Sequence, residues 1–189
     1  MELLPDELVE QLRKYQDIFG EGKSNAALRR SEDPAVEAAL SVIAAPEADP
    51  LERRSYAEIF GELDRPECVP VLIKIAEDIK QPVAIRLACF KSLAHYDDPT
   101  IGQNLSDAYA YHIRSDPDVR AAAFRLFASR PEWTLDFLQL VYKKQSVKRD
   151  EVPLEIVREF KLAGDAEINR IVDEVWPEVT NEMYHTHGI

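Results

Sequence analysis

The stretch DPDVRAAAFRLFASRPEW, Asp116–Trp133, outlines a complete helix and the start of another. A proline in the first helical turn loses no hydrogen bond and presets φ, so Pro117 suits a helix start. The aspartate before it can accept orphan N–H groups at the positive end of the helix dipole. Val119, Ala122, Ala123, Leu126 and Phe127 follow the three-four spacing of a buried stripe. The same register recurs without gaps in ERRSYAEIFG (Glu52–Gly61), IRLACFKSLA (Ile85–Ala94) and VRAAAFRLFA (Val119–Ala128). Arg53, Arg86 and Arg120 coincide. So do Tyr56, Cys89 and Ala123, then Phe60, Leu93 and Phe127, then Gly61, Ala94 and Ala128. The last, small position leaves room for a neighbouring helix.

Working outward, two proline series interleave. Pro34, Pro66, Pro99 and Pro131 are spaced by 32, 33 and 32 residues; Pro50, Pro82, Pro117 and Pro153 by 32, 35 and 36. Each opens an apolar-periodic run of helical length, which is the signature of a repeated helix pair. Asp33, Asp49, Asp98 and Asp116 each precede one of these prolines. The partner helices carry their own faces: Val69, Leu72, Ile75, Ala76 and Ile79 in one, and Trp133, Phe137, Leu138 and Val141 in another, with Glu132 and Asp136 outside. Alternating, strand-like runs are absent from the sequence pattern.

The predicted fold is all-α: a right-handed α–α superhelix of about four helix pairs plus terminal helices. Residues 1–31 are expected to hold an N-terminal capping helix near Pro5–Phe19, then a loop with a short helix near Lys23–Arg30. The repeats are expected over 32–163, a C-terminal capping helix over 164–177 and a flexible tail over 178–189.

Composition narrows the function. The formal net charge is −12 over 189 residues, which opposes binding to phosphate backbones. YKKQSVKR, Tyr142–Arg149, is a local basic exception, read as a solvated inter-helix loop or as a docking spot for an acidic partner. No run approaches the ~18 apolar residues of a membrane span, and MELLPDELVEQL lacks the pattern of a signal peptide. Six glycines argue against a phosphate-cradling loop. Cys68 and Cys89 form no CxxC; they fall on the two helices of one pair at similar heights, as two buried thiols or as a conceivable disulfide. The histidines are His95, near a helix end, His112, and His185-Thr-His187, which lacks a third ligand, so no metal site is predicted. No HExxH motif, Ser-His-Asp order or distinctive carboxylate pair is legible, and no catalytic residue is assigned.

The two-helix period and the Asp-Pro-x-Val-Arg-x-x-Ala run at Asp116–Ala123 resemble the HEAT repeat, especially the short HEAT-like kind of phycobilin lyases. The resemblance covers about Pro34 to Leu162. It is partial at Asp49 and Gln81, and at Pro153 the arginine register is lost. A narrower resemblance runs from Leu126 to Trp176, through ASRPEW, the basic loop into Val152-Pro153 and a final helix ending in Val175-Trp176. That segment is similar to the HEAT segment of bacterial multidomain dehydrogenase-like proteins, between a propeller and a c-type cytochrome domain. It implies an exported spacer whose haem belongs to a neighbouring domain; otherwise a cytoplasmic chain is expected.

Arg53, Arg86 and Arg120 recur once per repeat and would stack into a ladder. One reading has each arginine satisfy an aspartate or a loop carbonyl of the adjacent repeat, through Asp49, Asp116 or Asp118. The other has them form a basic row on the concave face that grips a partner. The function expected is a non-catalytic scaffold or inter-domain spacer. It takes a protein or peptide on the concave face, no nucleic acid, no membrane insertion and no cofactor of its own. The alternative is a HEAT-like enzyme, a bilin lyase relative or a DNA-repair glycosylase.

Overall fold

The computed structural model of the protein describes residues 25–180, and all its regular elements are helical. The predicted helix near Pro5–Phe19, the end of the tail, His185 and His187 lie outside the described residues. The chain divides into two compact units, one up to Asp97 and one from Asp98.

In the first unit, residues 25–29 are helical. Helix α1 (Asp33–Ala44) then pairs with α2 (Pro50–Phe60), and α3 (Val69–Glu77) with α4 (Val83–Leu93). Like stacks on like: α2 lies against α4 and α1 against α3. Val36, Ile43, Tyr56, Phe60, Leu72 and Leu93 fill the layer between them. In the second unit, α5 (Pro99–Ala108) runs into a π-helical turn, Tyr109–Ile113, and is followed by α6 (Pro117–Ala128), α7 (Pro131–Tyr142), α8 (Leu154–Leu162) and α9 (Ala166–Val175). Helix α7 packs between α5 and α9, and α6 lies against α7 and α8. Trp133, Phe137 and Leu138 are fully buried, and Phe137 stacks on Phe127 with ring centroids 4.8 Å apart. Residues 177–180 add a turn whose Val179 is buried.

Helix starts fall where the prolines and aspartates place them, with instructive departures. Asp49, Asp98, Asp116 and Asp165 accept backbone N–H bonds at the N-termini of α2, α5, α6 and α9. Asp33 does not cap; it is the first residue of α1 and pairs with Arg65 at 2.7 Å. Pro82 and Pro153 sit one position earlier than expected, as extended N-caps. The run from Pro66 begins as a 3-10 turn, Pro66–Cys68, before α3. The cause is Pro70, which has no N–H to reach the Pro66 carbonyl four residues back; the Val69 N–H takes that carbonyl instead. Ile79, expected on the α3 core face, lies beyond the end of that helix and is 60% exposed.

The longer spacing before Pro117 also has a structural expression. The π turn absorbs the extra length, with the Arg114 N–H bonding the Tyr109 carbonyl at 2.9 Å. It keeps Tyr109 and Ile113 buried.

The repeat length reappears as the sequence separation of side-chain hydrogen bonds between layers. The Ser92 hydroxyl donates to the Ala57 carbonyl, the Tyr96 hydroxyl to Phe60, and the Trp133 indole N–H to Asp98, separations of 35, 36 and 35 residues. Glycines mark the closest approaches. A Cβ on Gly61 would lie 2.9 Å from the Ser92 Cα, and one on Gly102 2.5 Å from Trp133 Cδ1 and 2.8 Å from its Cα. The small position at Gly61 is therefore a contact requirement. Because the obstacle at Gly102 includes backbone, Gly102→Ala is expected to destabilise the protein by about 1–3 kcal/mol through overpacking. Urea unfolding checks this; a variant within ~0.5 kcal/mol of the parent would show that α5 and α7 are not so tightly apposed.

Candidate functional site

The arginines shared by the three aligned copies sit at one structural position, the first turn of α2, α4 and α6. Arg53 is 1% exposed and donates from Nε and Nη2 to the Ile43 carbonyl, at 3.1 and 2.8 Å. Arg86 is 3% exposed and donates from Nε to the Ala76 carbonyl at 2.9 Å. Both acceptors lie ten residues back, in the last turn of the preceding helix, where carbonyls have no intrahelical partner. Each arginine thus fastens the two helices of its own pair by satisfying an orphan carbonyl. The Ile43 and Ala76 carbonyls are neither of the acceptors expected, an aspartate or a loop carbonyl of the adjacent repeat: both are helix-end carbonyls within the pair. Arg53 also reaches the next pair, donating from Nη2 to Gln81 Oε1 at 2.6 Å. Burial lowers the Arg53 pKa, while Glu47 and Asp78 nearby favour its charged form.

Arg120 keeps the role with a different acceptor. It donates from Nη1 to the Arg114 carbonyl at 2.9 Å, six residues back, because the π turn delivers that carbonyl to the place the regular copies fill from ten residues back. Arg120 is half-buried. Arg114 itself pairs with Glu151 at 2.9 Å and donates to the Ser146 carbonyl. The guanidiniums of Arg53 and Arg86 are therefore withdrawn from the surface, and a partner row cannot be built from them without opening the helix pairs.

Cys68 and Cys89 are free, and both are fully buried. Burial pushes their pKa values up to about 11 and about 12. They behave as small hydrophobes rather than nucleophiles. His95 and His112 are exposed, and among the described residues no group of histidine, cysteine and carboxylate side chains has metal-binding proximity. No helix among the described residues is long and apolar enough to cross a membrane.

The basic stretch after α7 borders an open cleft of about 870 Å³ in the second unit, lined in part by Tyr142, Gln145, Lys148, Arg149, Asp150 and Glu174. Two cations of the stretch pair with carboxylates. Arg149 pairs with Glu178, Lys144 with Asp107 at 3.5 Å, and the Tyr142 hydroxyl donates to Glu174 at 2.9 Å. The cleft is thus a mixed polar surface, with Lys148 and Arg149 set beside Asp150 and Glu174.

The first unit carries a feature the sequence reading missed. Leu51 is 76% exposed, Ile79 60% and Val83 36%. Leu51 and Val83 each follow a proline at a helix start, and an apolar residue next to such a proline was the available signal.

The family model for HEAT repeats matches residues 36–128. No curated protein and no solved structure matches the chain.

Two outcomes follow. Arg53→Met and Arg86→Met each leave a buried carbonyl without its donor and should cost about 1–3 kcal/mol in equilibrium unfolding, with Arg120→Met costing less; three equal, near-zero values would mean the guanidiniums are solvent-borne. Both thiols should resist a disulfide reagent at pH 8 until the chain unfolds. The folded state holds thiol protons more tightly than the unfolded one, so stability should fall as pH rises above the unfolded value near ~8.5. Rapid labelling of the native protein would contradict the burial. The family match and the stacked helices together make residues 36–128 similar to HEAT repeats.

Proposed function

We propose that the protein is a non-catalytic interaction scaffold. The supporting observation is how its repeated polar residues are used. The recurring arginines, and single serine, tyrosine and tryptophan donors whose acceptors lie one repeat interval away, are directed at backbone carbonyls that join helices. Stacked repeats joined in this way present long, continuous surfaces without needing a pocket, which suits peptide or protein recognition. The HEAT-repeat match supports the same reading.

The finer form of the proposal is an inter-domain spacer, exported and set beside a haem-bearing domain. It rests on the resemblance of Leu126–Trp176 to the segment described above. Within that form the chain's own contribution is positional and the electron transfer belongs to its neighbours.

Site-specific photo-cross-linking in the native cell tests both forms, using benzoylphenylalanine at exposed positions of each unit. The scaffold reading expects discrete adducts with another protein, recurring at neighbouring positions. The spacer form adds that the adducts stain for haem. Adducts confined to the chain itself, or none at any position, would remove the proposal.

A further inference from the structure

We propose that the turn edge of the first unit, built on Leu51, Ile79 and Val83, is a docking site for a basic, apolar peptide segment of another protein. This names the partner chemistry for the scaffold reading and rests on it.

Leu51 and Val83 lie one position apart at the starts of two stacked helices, just after Pro50 and Pro82, and Ile79 lies in the turn that leads to Val83. These segments adjoin, because the Arg53 guanidinium reaches Gln81 while also holding the end of α1 through Ile43. The exposed Pro46, Pro50 and Pro82 extend the apolar surface along the same edge. Isolated exposed apolar residues need no explanation, but several on adjoining turn segments are of the kind that marks interaction surfaces.

Charge selects the occupant. Residues 44–54 and 77–86 contain the carboxylates Glu47, Asp49, Glu52, Glu77 and Asp78. Their cations are Arg53 and Arg86, turned into the core, Arg54, paired with Glu58 at 3.0 Å, and Lys80. A ligand therefore meets leucine, isoleucine, valine and proline surrounded mainly by carboxylates. The complementary chain has apolar anchors flanked by lysine or arginine. An acidic segment meets repulsion, and a purely polar basic one loses the anchors.

The experiment titrates the isotopically labelled full chain with an amphipathic Leu/Lys peptide and, separately, its Leu/Glu counterpart, reading amide chemical shifts. The Leu/Lys peptide is expected to perturb residues 44–54 and 77–86 with saturation, and the Leu/Glu peptide to leave them unmoved. The triple variant Leu51→Ser, Ile79→Ser, Val83→Ser should weaken binding about tenfold or more. Glu47→Lys should weaken it with the apolar row intact, and Leu162→Ser in the second unit should not change it. The wild-type shift map does not depend on how well any variant folds. Shifts spread over the acidic surface, equal response to both peptides, or an unchanged triple variant would overturn the proposal. So would concentration-dependent self-association lost in the triple variant, or displacement of residues 1–24 from this edge, since each names a different occupant. Saturable binding mapped to the second unit would remove this edge and leave the scaffold reading standing. Absence of any cross-linked partner in the cell would remove that reading whatever the peptide does.

Discussion

One buried bond recurs with the repeat: a guanidinium at the start of one helix donates to a carbonyl at the end of the helix before it. The last carbonyls of a helix have no partner within it, and burying them unpaired costs free energy of the order of 1–3 kcal/mol. Arg53 and Arg86 meet that demand with identical spacing. An arginine suits the task because its planar fork spans the gap between helices and keeps its apolar stem in the core. Burying this charge is tolerable because carbonyl dipoles receive it, with Glu47 and Asp78 near Arg53.

From that fastening the rest of each unit follows. A pair held at its turn presents two apolar stripes, and the next pair covers them. The layers are then joined by single side-chain donors, Ser92, Tyr96 and Trp133, at the repeat interval, and brought close where Gly61 and Gly102 omit a side chain. Aromatic contacts thicken the core of the second unit, where Phe137 meets Tyr109, Phe124, Phe127 and Phe160. Stability in such an arrangement is approximately a sum over neighbouring interfaces.

Much of this was legible in the residues. The proline intervals located the helix starts and, in the first unit, the packed pairs, and the stripe at Val119–Phe127 identified its core face, because both signals are local; in the second unit the helix from Pro99 packs on the one from Pro131 rather than on the one from Pro117. The departures had local causes too, though of a kind periodicity overlooks. Pro70 broke the expected run from Pro66 by lacking an N–H, and the longer interval before Pro117 became a π turn that moved the acceptor of Arg120. The placement of Ile79 failed because the apolar pattern continued past the point where α3 ends at Glu77. The candidate site was less readable. A recurring arginine has the same sequence signature whether it faces a partner or a buried carbonyl. The basic stretch after Tyr142 gave no sign of Glu178 and Asp107, which come from elsewhere in the chain to answer it.

The most direct test of the account is proton exchange at the arginine side chains, read by NMR as the exchange rate of each Nε–H. Arg53 and Arg86 are predicted to exchange far more slowly than the exposed Arg54 beside them, because their protons are held by Ile43 and Ala76 inside the pair. Exchange of all three at the same solvent-limited rate would contradict the account, since the guanidiniums would then belong to the surface and the helix pairs would be fastened by something else.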